Sequence, residues 1–388
     1  MEVYWRQNIR LLYIFRGLRC FLIIMPVIIP FFQEKGLCQT QIYLLESMLA
    51  VGILFFEIPS GYVADKFGRK NSILLGSIFS CLGYSLYNFS TSFENFLVAN
   101  FLLGIGYSFI SGADSALAYD SFKLLKNEEH YLKYESQVTG FSGLIQVVSS
   151  VCGGLLAIMS LHYPIIAQSI FYILLIPCAL LLKETPCFQY TKNFSLKEIL
   201  SITSNVFLRP GKLKWFVLYF TLAGNMTHTV IWIIQPLYQD LNIDLKWFGI
   251  LWGLQYLLFA LSSRLSYKFT SKINIKASLI CFLIVGVSSY FAIYFLKNFY
   301  ALLFVYLLFL VRGSFKPLIQ DLINKQTESN IRATVFSIEN FIKKFFYILI
   351  GPIIGFSLDQ YSIAAAFLCS GLIYLFLSIP VIYQLSKI

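Results

Sequence analysis

The sequence predicts an all-α membrane protein with twelve transmembrane helices in two six-helix bundles, related by a parallel pseudo-two-fold repeat. Three observations lead to this fold class: the composition, the spacing of the apolar runs and an internal match between the halves. Apolar residues make up 58% of the 388-residue chain and charged residues 13%, whereas a soluble domain carries about 25% charged residues. The mean hydropathy is +0.72. Such a chain is suited to lipid rather than to water.

Apolar runs of about 20 residues, the length that crosses a bilayer as a helix, recur along the whole chain. Turn and breaker residues separate them, as at Glu34-Lys35-Gly36 and Lys297-Asn298. The predicted helices are 11–32, 42–64, 71–90, 96–120, 137–160, 163–183, 214–237, 247–267, 275–296, 299–322, 335–358 and 362–385.

One predicted connection, 184–213, is much longer than the others and contains several basic residues. It divides the chain into an N-terminal six-helix bundle, 1–183, and a C-terminal six-helix bundle, 214–388. The linker between them includes a short stretch of amphipathic appearance, 195–207.

The two halves match each other at nearly one offset. The segment "SGYVADKFGRK" at 60–70 falls on "SSRLSYKFTSK" at 262–272, and "SGADSALAYDS" at 111–121 falls on "RGSFKPLIQDL" at 312–322. Two separate segments that give almost the same offset indicate a duplicated six-helix unit. Repeats that begin on the same side of the membrane are parallel, an arrangement found in transporters that rock two bundles about a central site.

The loops divide sharply by charge. Those on the side of the N-terminus carry twenty Lys and Arg residues, and the opposite loops carry three, Lys35, Lys246 and Lys297. The positive-inside rule therefore predicts that both termini are cytoplasmic. Because topology accounts for most of the net charge of +11, we expect no nucleic-acid partner.

The segment "GYVADKFGRK" at 61–70 resembles the signature loop between the second and third helices of the major facilitator superfamily. That signature reads Gly-x-x-x-Asp-(Arg/Lys)-x-Gly-Arg-(Arg/Lys), and its key positions are filled here by Gly61, Asp65, Lys66, Gly68, Arg69 and Lys70. The resemblance covers the twelve spans, the repeat and the long central loop. In the second half the copy is degraded, with Tyr267 where the first half has Asp65.

The resemblance implies that this loop is a conformational latch. Glu57, Gly61 and Asp65 share one helix face by their spacing of four residues, and Gly61 leaves room for a neighbouring helix. In the family that neighbour is the eleventh helix, and an acidic residue ending the fourth helix joins the cluster, a position matched here by Asp120. We expect Arg69 to bridge Asp65 and Asp120; simple anchoring of the loop is the alternative.

Charged residues inside the apolar runs are costly and are therefore candidate functional residues. In this superfamily helices one, four, seven and ten line the central cavity, which favours one subset of them. That subset comprises Arg16, Arg19, Asp114, Arg312 and Lys316. The alternative for each is a structural ion pair.

Proton binding has its own candidates. A carboxylate in a low-dielectric cavity is a suitable proton carrier, which selects Asp114 and Glu57. His228, in the middle of the seventh predicted helix, is the third titratable candidate, although a hydrogen-bonding residue in the cavity wall is an equally good interpretation.

The resemblance implies a secondary active transporter of a small organic solute, with protons as the coupling ion and export slightly favoured. The drug/proton antiporters of the family carry Gly-Pro-x-x-Gly-Gly in helix five, where this chain has "SSVCGG" at 149–154, which weakens an antiporter assignment. An excess of buried Arg and Lys predicts, as an alternative, an importer or exporter of an organic anion such as a carboxylate, a phosphorylated metabolite or a carboxylate siderophore.

The other classes of function receive little support from the motifs. Neither the sequence signatures of a membrane enzyme nor a channel selectivity filter is recognisable. We expect no catalytic residues, no metal site and no cofactor. The expected setting is a monomer in the lipid bilayer of a bacterial cytoplasmic (inner) membrane.

Overall fold

A computed structural model of the chain describes residues 2–186, 211–270, 274–327 and 332–387. Within these ranges the protein is all helical. Residues 187–210 of the predicted linker, including the stretch 195–207, lie outside the described residues.

The described residues form two compact units. The first unit comprises residues 2–186 together with Asp244–Leu254, and the second comprises the remaining described residues. The helices up to residue 186 are α1 (Glu2–Cys20), α2 (Ile28–Glu34), α3 (Gln39–Phe67), α4 (Arg69–Phe89), α5 (Phe93–Ile110), α6 (Ala113–Leu124), α7 (Tyr131–Met159), α8 (His162–Ile173) and α9 (Leu175–Leu181). Those that follow are α10 (Leu213–Asp240), α11 (Leu245–Thr270), α12 (Ile275–Phe295), α13 (Ala301–Gln326), α14 (Arg332–Gln360) and α15 (Ile363–Lys387).

Twelve stretches of the described chain are long and apolar enough to cross a membrane, which confirms the predicted number of spans. Three spans contain two helices each: α1 with α2, α5 with α6, and α8 with α9. The sequence predicted uninterrupted helices at these places. The break between α5 and α6 falls at Gly112, whose φ of +81° is a conformation that glycine adopts without steric cost.

Helix α7 also differs from the prediction. It begins at Tyr131, six residues before the expected start at 137, because the segment from 131 to 136 contains neither Gly nor Pro to stop it. Glu135 therefore lies in the helix, although the predicted span of 137–160 did not include it.

Close packing of α3 against α5 depends on two facing glycines. A Cβ atom built on Gly52 would lie 2.8 Å from the carbonyl oxygen of Phe101 and 3.1 Å from the Cα of Gly104. Small residues let helix backbones approach within a membrane, where dispersion contacts hold helices together. Nearby, the hydroxyls of Ser60 and Ser108 lie 3.0 Å apart, which gives the α3–α5 contact a hydrogen bond.

Replacing Gly104 with valine is expected to lower the free energy of unfolding by about 1–3 kcal/mol, the typical cost of overpacking. The added side chain would meet the backbone of α3 at Leu49 and Gly52, which cannot move as a flexible side chain can. Gly140→Val is the matched control, because a Cβ at Gly140 meets nothing within 4 Å. Unfolding temperatures in detergent compare the two; equal temperatures would contradict the role of this contact.

Candidate functional site

The broken helices of the first unit place charged residues at newly made helix ends. Helix α1 ends at Cys20, with Arg19 in its last turn, and α6 begins at Ala113, with Asp114 in its first turn. A helix C-terminus favours a cation and an N-terminus favours an anion. The Asp114 side chain also accepts a hydrogen bond of 2.8 Å from the backbone N–H of Ser115. The two breaks therefore create a place for opposite charges inside a membrane span.

Arg16 lies at the centre of an ionic network that connects α1, α6 and α7. Its Nε donates to Oδ2 of Asp114 at 3.0 Å, and its Nη1 donates to both carboxylate oxygens of Glu135, at 2.9 and 2.8 Å. Arg19 adds a longer ion pair with the same Asp114 oxygen, at 3.5 Å. The side chains of Arg16 and Asp114 are 8% and 7% exposed, so this central pair is held away from water. We call these four residues the Arg16 network.

The structure thus brings together three of the residues that the sequence predicted for the cavity: Arg16, Arg19 and Asp114. Glu57, the other candidate proton carrier, is half-buried on α3 and is not a partner of Arg16 or Arg19 in their ion pairs. Glu135 was missed because the fifth helix was expected to start at 137. The helical pattern continues without a break before residue 137, and this was the signal that could have placed Glu135 in the helix.

The second unit holds a group of cations around one carboxylate. Arg312 and Lys316 lie four residues apart on α13, and Lys343 lies on α14 beside Glu339, with 4.0 Å between Nζ and Oε1. The charges of Arg312, Lys343 and Glu339 all act on Lys316. Within the described part of the chain no carboxylate lies at ion-pair distance from Arg312 or Lys316. We call this group the Lys316 cluster.

Helix α10 borders the Lys316 cluster. The ring of His228 packs edge-on against Tyr347, with 5.0 Å between ring centroids, and the charges of Arg312 and Lys343 act on it. Asn225 donates to the backbone carbonyl of Lys343 at 3.2 Å. The predicted candidates His228, Arg312 and Lys316 therefore belong to one neighbourhood of the second unit.

The signature segment 61–70 adopts a more local arrangement than expected. Arg69 forms a close ion pair with Asp120 and donates to the carbonyl of Ala116. Among the described residues Asp120 is the one carboxylate paired with Arg69, so the expected bridge from Arg69 to Asp65 is not formed here. Gly61 and Asp65 are exposed on α3, and a Cβ at Gly61 would meet nothing within 4 Å.

Glu184 is the partner of this segment that sequence reasoning missed. Its carboxylate oxygens accept hydrogen bonds from the backbone N–H groups of Arg69, at 3.0 Å, and Lys70, at 2.8 Å. These N–H groups begin α4, and an anion at a helix N-terminus is stabilised by them and by the helix dipole. Gly68, with a φ of +100°, lies against the same carboxylate.

A buried side chain of α1 holds the segment that carries Glu184. Asn8 donates to the carbonyl of Lys183 and accepts from its N–H, both at 2.8 Å, and the Thr185 hydroxyl donates to Asp120 at 3.4 Å. The non-helical residues after α9 are therefore fixed to α1, α4 and α6 together. Nothing in the local sequence signals this, because the partners are far apart along the chain.

Comparison with known proteins agrees with the twelve-span architecture. Residues 11–349 match the family model of the Major Facilitator Superfamily. The chain is 24% identical over 372 residues to the uncharacterized MFS-type transporter YxaM of Bacillus subtilis, covering 92% of this chain and 90% of that one. It is 23% identical over 365 residues to the class H tetracycline resistance protein of Pasteurella multocida, covering 90% and 86%.

A solved structure shares the fold. The crystal structure of the nucleoside transporter NupG superposes with a TM-score of 0.76 at 14% sequence identity, over 100% of this chain and 98% of that one. The shared fold and the family match across most of the chain assign this architecture to one family. The chain belongs to the Major Facilitator Superfamily and is a multi-pass integral membrane protein that transports small molecules and is not an enzyme.

Proposed function

We propose that the protein is a secondary active transporter that exports a small organic solute across the bacterial cytoplasmic membrane in exchange for protons. The observation that carries the proposal is the Arg16 network, in which two carboxylates share one buried guanidinium. Intramembrane ionisable groups mark proton and substrate pathways. Export is supported by the similarity to the class H tetracycline resistance protein of Pasteurella multocida.

Proton binding at the Arg16 network would change the packing of three helices. A proton on Asp114 removes its attraction for Arg16 and Arg19 and its interaction with the start of α6. A proton on Glu135, whose side chain is 29% exposed, removes the contact that holds α7. Either protonation leaves Arg16 with one charged carboxylate in place of two. The packing of α1, α6 and α7 is weakened as a result, which shifts the equilibrium between the two conformations that alternating access requires.

The latch proposed for the signature segment fits this cycle. One end of this segment fixes α4, α6 and the residues after α9 to one another, through Gly68, Arg69, Lys70 and their partner Asp120. At the other end, Gly61 and Asp65 lie on an exposed part of α3, where a partner helix would pack. We place both termini in the cytoplasm and treat the transporter as a monomer.

An organic anion is the substrate class that the Lys316 cluster favours. The three cations of the Lys316 cluster outnumber its single carboxylate, and a carboxylate or phosphate group of the solute would neutralise the excess of positive charge. Replacing Arg312 with glutamine is expected to weaken binding of such a solute by about 10–100-fold, since a hydrogen bond to a charged group contributes about 1.5–3 kcal/mol.

Lys325→Gln is the matched control for Arg312→Gln. It removes one positive charge from the same helix, at an exposed position paired with Asp321. The measurement is the shift in unfolding temperature that a solute causes in each of the two variants. The solutes are a panel of carboxylates, phosphate esters and organic cations. If Arg312→Gln and Lys325→Gln respond alike to every anion, the Lys316 cluster is not an anion site.

The proposed function is tested with purified protein in liposomes under an imposed pH gradient. Accumulation of the panel solutes is followed with the proton gradient directed against their expected movement, and again with the gradient collapsed by an ionophore. Exchange with protons predicts solute movement that stops when the gradient is removed. Solute fluxes that are identical with and without the gradient would refute proton coupling.

A further inference from the structure

The break in the first span leaves backbone groups that need partners inside the membrane. Helix α1 ends at Cys20 and α2 begins at Ile28, and the residues 21–24 are not helical. Pro26, which follows them, has no N–H group with which to continue a helix. Ile24 is buried, and an unpaired backbone group is costly within a membrane span. The partners must therefore come from other helices.

One amide side chain bridges this break. Gln168, on α8, is fully buried. Its Nε2 donates to the carbonyl of Phe21 at 3.2 Å, and its Oε1 accepts from the backbone N–H of Ile24 at 3.3 Å. A side-chain amide carries a donor and an acceptor, as a peptide group does. Gln168 thus supplies the pairing that the interrupted helix cannot give to these two residues.

Two further contacts hold the same part of the chain. Tyr172, one turn along α8 from Gln168, donates to the carbonyl of Arg19 at 3.2 Å. On the side of α7, a Cβ atom built on Gly153 would collide with the carbonyl oxygen of Ile23. The end of α1 and the residues after it are therefore fixed by side chains of α8 and by the close approach of α7.

The end of α1 carries the two cations of the Arg16 network. Arg16 and Arg19 lie in the last two turns of the helix, and both pair with Asp114 on α6. Charge-assisted hydrogen bonds of a guanidinium depend on its position and orientation. A shift in the place where α1 stops would move both guanidinium groups relative to Asp114.

We propose that Gln168 is a positioning residue of the transporter, whose amide bridges the broken first span and thereby holds Arg16 and Arg19 against Asp114. It acts through the backbone of Phe21 and Ile24. The inference takes the Arg16 network as part of the transport machinery, as proposed above, and adds the residue on which the geometry of that network depends.

Two substitutions of Gln168 test the bridge through unfolding temperatures in detergent. Gln168→Met keeps the length of the side chain and removes both hydrogen bonds, so it should be less stable than the wild type at every pH. Gln168→Glu can form both bonds only while its carboxyl is protonated, because an ionised carboxylate accepts but does not donate. It should therefore match the wild type in acidic buffer and fall below it as the pH rises.

Gln146→Met, at a half-buried position of α7, is the control for the loss of an amide and should stay near the wild type. The decisive comparison is made in acidic buffer. If Gln168→Glu is there no more stable than Gln168→Met, or if Gln168→Met is as stable as the wild type, then Gln168 only fills space and the bridge is wrong.

A double-mutant cycle tests whether the bridge positions the Arg16 network. In an Arg16→Gln background the network is already broken, so Gln168→Met should lower the unfolding temperature by less than it does in the wild type. Equal shifts in both backgrounds would mean that the two sites are independent. If Gln168→Met does not fold, the fall of Gln168→Glu between acidic and alkaline buffer is compared in the same two backgrounds.

Solute flux in liposomes separates this inference from the proposed function. Flux of the panel solutes through Gln168→Glu, relative to the wild type at the same pH, should fall over the pH range in which its stability falls. If that flux is retained while wild-type flux follows the gradient, the positioning role is wrong and the proposed function stands. If wild-type flux ignores the gradient, proton exchange fails, and the unfolding temperatures, which need neither solute nor gradient, still decide whether Gln168 positions the network.

Discussion

Replacing Arg16 with glutamine is expected to lower the free energy of unfolding by about 3–5 kcal/mol, the usual cost of removing one partner from a buried ion pair. Without Arg16, the carboxylates of Asp114 and Glu135 remain on neighbouring helices with Arg19 as the nearest cation, and Arg19 is 3.5 Å from Asp114. We expect gradient-driven flux to be lost as well. Arg16→Lys should restore only part of either property, because an ammonium group cannot match the three N–H···O contacts of this guanidinium.

Arg10→Gln is the matched control for Arg16→Gln. It removes one positive charge from an exposed position of the same helix, so a general effect of net charge would appear in both variants. Unfolding in mixed micelles gives the free energies. Equal losses of stability in the two variants would contradict the central place of Arg16.

A double substitution tests whether charge balance is the cause. Arg16→Gln with Glu135→Gln removes one cation and one carboxylate and leaves the Arg19–Asp114 pair intact. If the network is held by balanced charge, the double variant should be more stable than Arg16→Gln alone, and the two single effects should not add. Additive losses would mean that Arg16 stabilises the helices by packing alone.

The sequence predicted the spans well for a physical reason. Helices in a bilayer must satisfy their backbone groups internally and present apolar side chains over a fixed thickness, and both requirements are visible in any window of the chain. The same rule made buried charges conspicuous, so Arg16 and Asp114 were found before the structure was known.

The features that were missed depend on geometry that hydropathy does not record. The Ser111-Gly112 break lies within an apolar run that fits a continuous helix as well as a broken one. The start of a new helix, α6, beside Asp114 was therefore not expected. Glu135 precedes the apolar core of its helix. Glu184 lies far along the chain from the N–H groups that donate to it, and no local pattern joins them.

Gly68→Ala is expected to have the second largest effect on stability. Its φ of +100° is costly for a residue with a Cβ, by about 1–3 kcal/mol. The added methyl group would also lie 2.6 Å from Cδ of Glu184. The Glu184 side chain must then leave the start of α4, and the charge-assisted hydrogen bonds to Arg69 and Lys70, each contributing about 1.5–3 kcal/mol, are lost with it.

Gly36→Ala separates backbone strain from displacement of Glu184. Gly36 has a φ of +82°, and a Cβ atom built on it would meet nothing within 4 Å, so alanine there meets strain alone. We expect Gly68→Ala to lower the unfolding temperature well below that of Gly36→Ala. In a Glu184→Ala background the difference between the two glycine variants should become smaller, because the carboxylate that the new methyl group would displace is already gone. A difference of the same size in both backgrounds would show that Gly68 acts through strain and not through Glu184.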